Sequence, residues 1–135
     1  MGSVLLVETD LEASERWARD LDNAGHAVLK ATALRDAPAL LREGGIDVIV
    51  IDCHDQCVGV MELARTIEQL PDAPPIVLIS SSPTAPELSV RIGAAAFLPK
   101  PCESTELVSV VSRLLGKLRP VRSFEDEPTG RTQLG

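Results

Sequence analysis

The chain has no tyrosine, one tryptophan (Trp17) and two phenylalanines (Phe97 and Phe124) among 135 residues. With so few rings, stacking on exposed bases is a poor basis for function. Cationic surface is also scarce: 13 lysines and arginines stand against 20 acids, a formal net charge of −7. That balance repels phosphate backbones and anionic lipid, so neither nucleic acid nor membrane is an expected partner. No apolar run approaches the roughly 20 residues a bilayer crossing needs, and the N-terminus shows no basic leader before an apolar segment. A cytoplasmic protein is expected. Three cysteines are too few for a disulfide framework and fit free thiols in a reducing compartment.

What is present is an alternation. Short apolar runs end in polar clusters, and stretches of helical period lie between them. Val4-Leu5-Leu6-Val7 runs into Glu8-Thr9-Asp10, Val48-Ile49-Val50-Ile51 into Asp52, Ile76-Val77-Leu78-Ile79 into Ser80-Ser81-Ser82, and Ala96-Phe97-Leu98 into Pro99-Lys100-Pro101. Ala27–Ala31 is a less apolar run, the pattern of an edge strand. Between the runs, Ser14, Trp17, Ala18 and Leu21 share a stripe, as do Ala37, Leu40 and Leu41, then Val60, Leu63, Ala64 and Ile67, and finally Leu107, Val110, Val111, Leu114 and Leu118. Pro86 confines a short fourth helix to the residues after it. Five strands and five helices in strict alternation predict a doubly wound α/β domain: a five-stranded parallel sheet in flavodoxin-like order. The domain spans residues 1–118. Residues 119–135 carry Glu125-Asp126-Glu127 flanked by arginines, with little to bury, and are expected to form a flexible tail.

Strands of such a sheet present their reactive groups at their C-terminal tips. Asp52 stands at one tip, Glu8 and Asp10 at a second, Ser80 at a third and Lys100 at a fourth. An aspartate can attack phosphorus if a divalent cation and an amine offset the charge on the transferring group. Lysine serves as the point charge and a hydroxyl as a further hydrogen-bonding partner. Cys53, His54 and Cys57, with Cys102 on the neighbouring tip, raise a second chemistry on the same rim, metal binding or thiol redox. Their spacing matches no closed zinc pattern.

These four stretches, in this order, resemble the receiver domains of two-component response regulators over about residues 3 to 118. The resemblance implies that Asp52 is the phosphoacceptor, with Lys100 and Ser80 completing the catalytic set. It makes Ser80 and Phe97 the switch pair and Lys100–Pro101 a cis bond. It implies Mg2+ held by Glu8, Asp52 and the backbone carbonyl of His54, with Asp10 as a further candidate ligand. Partners would be a histidine kinase or phosphotransfer protein and a downstream protein target. Homodimerisation through the fourth helix, fifth strand and fifth helix is a candidate assembly.

The protein would then act as a single-domain response regulator, a switch and not an enzyme. Thr9 departs from the pattern, because receivers usually carry a second acid there. Val60 replaces a usual glycine, and the stretch from Ser80 to Gly93 is short. The alternative is a pseudo-receiver, an interaction module that works without phosphate. Phosphatases and flavin carriers of related architecture are disfavoured, since Glu8-Thr9-Asp10 lacks the nucleophile of the first and would repel the phosphate of the second.

Overall fold

The computed structural model describes residues 2–54 and 57–118. The expected tail therefore lies outside the described residues. In chain order the elements are β1 (Ser3–Glu8), α1 (Leu11–Asn23), β2 (Ala27–Ala31), a 3-10 turn (Leu34–Asp36), α2 (Ala37–Arg42), β3 (Val48–Cys53), α3 (Val60–Glu68), β4 (Ile76–Ser80), α4 (Ala85–Arg91), β5 (Ala96–Pro99) and α5 (Ser104–Leu118). All strand pairings are parallel, and the sheet order is β2-β1-β3-β4-β5. That is the expected doubly wound sheet, with β2 and β5 at its edges.

Alternation along the strands divides the core in two. Val4, Leu6, Val48, Val50, Val77 and Ile79 pack under α1 and α5 against Trp17, Leu21, Leu107 and Val111. Leu5, Val7, Ile49, Ile51, Ile76 and Leu78 pack on the other face against Ala37, Leu41, Val60, Leu63 and Ile67. The central strands are apolar on both faces because both are covered. β2 buries only Ala31 and reads as an edge for that reason.

Three details differ from the sequence expectation. β3 runs one residue past Asp52 to Cys53, so the aspartate is held inside a hydrogen-bonded strand end. On α5, Leu115 is buried beside the expected Leu107, Val110 and Val111 although the expected stripe does not name it, close against the N-terminal end of β1, where a Cβ on Gly2 would meet its Cδ2 at 2.8 Å. A 3-10 turn also precedes α2.

The start of α1 matters for the site. Asp10 is its N-cap: Oδ1 accepts from the N–H of Glu12 at 3.0 Å and of Ala13 at 3.5 Å. Two of the helix's unpaired donors are thereby satisfied. Asp10→Ala is expected to destabilise the domain by about 1 kcal/mol in urea unfolding; an unchanged midpoint would show that the cap contributes nothing.

Candidate functional site

Glu8 and Asp52 are register partners on the adjacent parallel strands β1 and β3. By alternation both continue the face that carries Val4, Leu6, Val48 and Val50, so two carboxylates stand side by side beneath α1. Both are buried, at 0% and 4% exposure. A cation is required beside such a pair, and Lys100, just after β5, supplies it: Nζ lies 2.6 Å from Asp52 Oδ1. The Lys100–Pro101 bond is cis.

Two further donors complete the pocket. Glu8 Oε2 accepts from the backbone N–H of Asp10 at 3.0 Å and lies 2.9 Å from His54 Nε2. His54 Nδ1 lies 3.4 Å from Lys100 Nζ. An ammonium has only donors, so Nδ1 is the acceptor and Nε2–H is left to donate to Glu8. On the other side, the indole N–H of Trp17 donates to Asp52 Oδ2 at 2.9 Å, a bond between buried groups. Asp52 Oδ2 is thus hydrogen-bonded to Trp17, while Oδ1 has the ion pair with Lys100 but no hydrogen bond.

Glu8 Oε1 is buried and has no hydrogen-bond partner. The Glu8 pKa is raised from 4.5 to about 7, by burial first and by the neighbouring Asp52 second, while the Asp10 N–H and His54 act in the opposite direction. One ammonium does not neutralise two buried carboxylates. One ligand atom from each of Glu8, Asp52 and His54 lies within 4.8 Å of the others. An orphaned buried carboxylate oxygen inside such a cluster is the condition a divalent cation relieves, so these residues fit a metal. A cavity of about 170 Å3 lined by Asp52, Thr9, His54 and Val58 adjoins the site.

The structure brings Asp52, Lys100, Glu8 and His54 together, but it treats the other expected site residues differently. Asp10 does not join the ligand cluster, because its carboxylate caps α1 and only its backbone N–H faces Glu8. The His54 carbonyl, the expected metal ligand, accepts from the Cys57 N–H at 3.0 Å, which leaves it one lone pair, and the imidazole enters the pocket instead.

Ser80 is buried at the end of β4 on the opposite face from Asp52. Its Oγ accepts from the Ser82 N–H at 3.0 Å and lies 3.5 Å from Cys57 Sγ. Phe97 is half-buried against the α3 and α4 side of the core.

The expectation of three free thiols is corrected. Cys53 and Cys57 form a disulfide, and Cys102 is free. The loop after β3 turns back so that the two Cα atoms are 5.1 Å apart, within bonding reach. A disulfide sulfur carries no proton, so the Ser80 hydroxyl is the donor in its contact with Cys57.

Trp17 is the site contact that the helical stripe alone presents as simple core. A signal was available: a buried indole N–H requires an acceptor, and the tryptophan lies on the stripe of α1 that faces the strand tips.

A model of the response regulator receiver domain family matches residues 4–112. The chain belongs to this family. A transcriptional regulatory protein, CpxR of Klebsiella pneumoniae, is 29% identical over 116 residues, covering 85% of this chain and 50% of the relative. A putative two-component response regulator, ARR21 of Arabidopsis thaliana, is 25% identical over 123 residues, covering 90% of this chain and 20% of the relative. The chain therefore spans half or less of the length of these relatives.

Among solved structures, the signal receiver domain of a histidine kinase from Syntrophus aciditrophicus superimposes with a TM-score of 0.77 at 27% identity, covering 92% of this chain and 97% of that one. The receiver domain of the Francisella response regulator 1452 gives the same TM-score at 20% identity, covering 88% and 100%, a likeness of fold. Among the described residues no helix is long and apolar enough to cross a membrane.

Proposed function

We propose that the domain accepts a phosphoryl group on Asp52 from a histidine kinase or phosphotransfer protein and signals by binding a downstream protein. The observation that carries this reading is the 2.6 Å pairing of Lys100 Nζ with Asp52 Oδ1, beside a second buried carboxylate. An oxygen of Asp52 attacks phosphorus, the bond from phosphorus to the donor breaks, and the donor leaves with that electron pair. Lys100 moves from the carboxylate to a phosphoryl oxygen, a shift its flexible stem permits.

Glu8, Asp52 and the His54 carbonyl would hold Mg2+, which would offset charge on the transferring group. Ser80 must exchange its contact with Cys57 for the phosphoryl oxygen, and Phe97, half-buried, then follows as the switch ring. The catalysis is confined to the domain's own phosphorylation and dephosphorylation, without turnover of a separate substrate.

The net charge of −7 supports action through protein contacts and not through nucleic acid. Action in the cytoplasm, with a homodimer through α4, β5 and α5 as the candidate assembly, belongs to the same proposal. In that compartment the Cys53–Cys57 bond would be the exception, since cytosolic disulfides are mostly transient.

Incubation with acetyl phosphate and Mg2+ is expected to phosphorylate the wild type, seen by intact-protein mass spectrometry, and to leave Asp52→Asn unmodified. Equal labelling of the two would rule Asp52 out as acceptor. One observation favours the pseudo-receiver as second reading: Asp52 is already held by the Trp17 hydrogen bond and the Lys100 ion pair, so the pocket keeps its arrangement without phosphate. Unchanged amide NMR spectra on adding beryllofluoride and Mg2+ would favour that reading.

A further inference from the structure

We propose that Glu8, Asp52 and the imidazole of His54 form a mixed carboxylate–imidazole site that selects a borderline divalent ion of the Zn2+ class over Mg2+. The inference does not depend on phosphotransfer.

Its first ground is the chemistry of the donors. Magnesium takes oxygen ligands in octahedral geometry and dehydrates reluctantly, whereas imidazole nitrogen suits zinc and its neighbours. Thr9 stands where a second hard carboxylate would have favoured magnesium. The nitrogen that reaches the pocket instead is His54 Nε2, 2.9 Å from Glu8 Oε2. Two carboxylates and one imidazole, with a fourth position open to water, is a donor set that zinc accepts.

The second ground is geometric and independent of donor type. Glu8 is fully buried, and its Oε1 has no partner. A buried carboxylate oxygen left unpaired is costly once the group is ionised, and a bound cation satisfies it. The three ligand atoms lie within 4.8 Å of one another, while tetrahedral zinc with bonds near 2.0–2.1 Å wants them about 3.3 Å apart. His54 lies just past the end of β3 with its side chain 41% exposed, so no surrounding packing opposes the small shift that closes that difference. The loop is tied at Cys53 and Cys57 on either side of it, which limits how far the imidazole can stray.

Binding requires two local exchanges. Lys100 leaves Asp52 Oδ1, and with the ammonium gone from beside Nδ1 the His54 proton moves from Nε2 to Nδ1. Nε2 then offers its lone pair to the ion. The proton is exchanged through solvent, and the ring's proton count is unchanged.

Trp17 is the only tryptophan and is hydrogen-bonded to Asp52, so its fluorescence reports on this site alone. Titrations of the whole protein with Zn2+ and, separately, with Mg2+ are expected to show one Zn2+ bound at least tenfold more tightly than Mg2+, by fluorescence and by calorimetry. His54→Ala keeps the backbone carbonyl and is expected to lose ten- to a hundredfold in Zn2+ affinity, with Mg2+ affinity changed less than twofold. A Cys102→Ser variant that binds Zn2+ like the wild type excludes capture by the free thiol. Equal affinities for the two ions, or full Zn2+ affinity in His54→Ala, would overturn the inference.

Discussion

Trp17→Phe is expected to destabilise the domain by about 3 kcal/mol, lowering Tm by roughly 10 °C. Phenylalanine keeps most of the apolar body that packs between α1 and the sheet, so packing loss is the smaller part. What disappears is the indole N–H, and with it one of the two partners of a buried carboxylate. A hydrogen bond to a charged group contributes about 1.5–3 kcal/mol, and leaving the group buried without it incurs its desolvation cost.

The decisive measurement is a double-mutant cycle in urea. In an Asp52→Ala background the same Trp17→Phe change has no carboxylate to orphan, so its cost should fall to the packing part, with a coupling energy above about 1 kcal/mol. Equal costs in the two backgrounds would show that the bond is incidental. The expected result also bears on function, because Trp17 then sets the rotamer in which Asp52 Oδ1 meets Lys100.

The Trp17 bond marks the boundary of what could be read before the fold was known. Strand tips are legible because a buried parallel strand is a run of apolar residues that stops. Asp52, Glu8, Ser80 and Lys100 stand where four such runs stop, and three of the four meet in one pocket. Helix stripes are legible too: Val60, Leu63, Ala64 and Ile67 are all buried on α3.

Other features carry no period. A stripe records that Trp17 faces the sheet, not which acceptor its N–H finds. The spacing of Cys53 and Cys57 does not say whether the chain between them doubles back. The receiver resemblance gives His54 a role for its carbonyl alone, and a residue in an irregular loop gives no sign of where its side chain turns. The pocket's acids were readable, and the groups that orient and cover them were not.

The same pocket should make stability fall as pH rises, which Glu8→Gln is expected to abolish. Glu8 has a folded-state pKa of about 7 against 4.5 for the free side chain. A raised folded-state value means that the folded protein keeps a proton the unfolded chain has released. The contribution is fully present below 4.5 and is lost as pH rises through about 7. Integrated over that window it is on the order of 3 kcal/mol, a large part of a small domain's total stability.

Glutamine has the same shape, still accepts from the Asp10 N–H, and can donate its amide to Asp52, but it brings no second negative charge. Urea unfolding across this window should give a falling stability for the wild type, a nearly level one for Glu8→Gln, and a more stable variant above pH 7. Saturating divalent cation should restore the wild type there and leave the variant largely unaffected, because the cation replaces the missing proton between Glu8 and Asp52. A wild type whose stability rises through this window would show that the two carboxylates do not oppose each other. A falling one identifies Glu8 as a group kept ionisable at a cost in stability, which a purely structural role would not require.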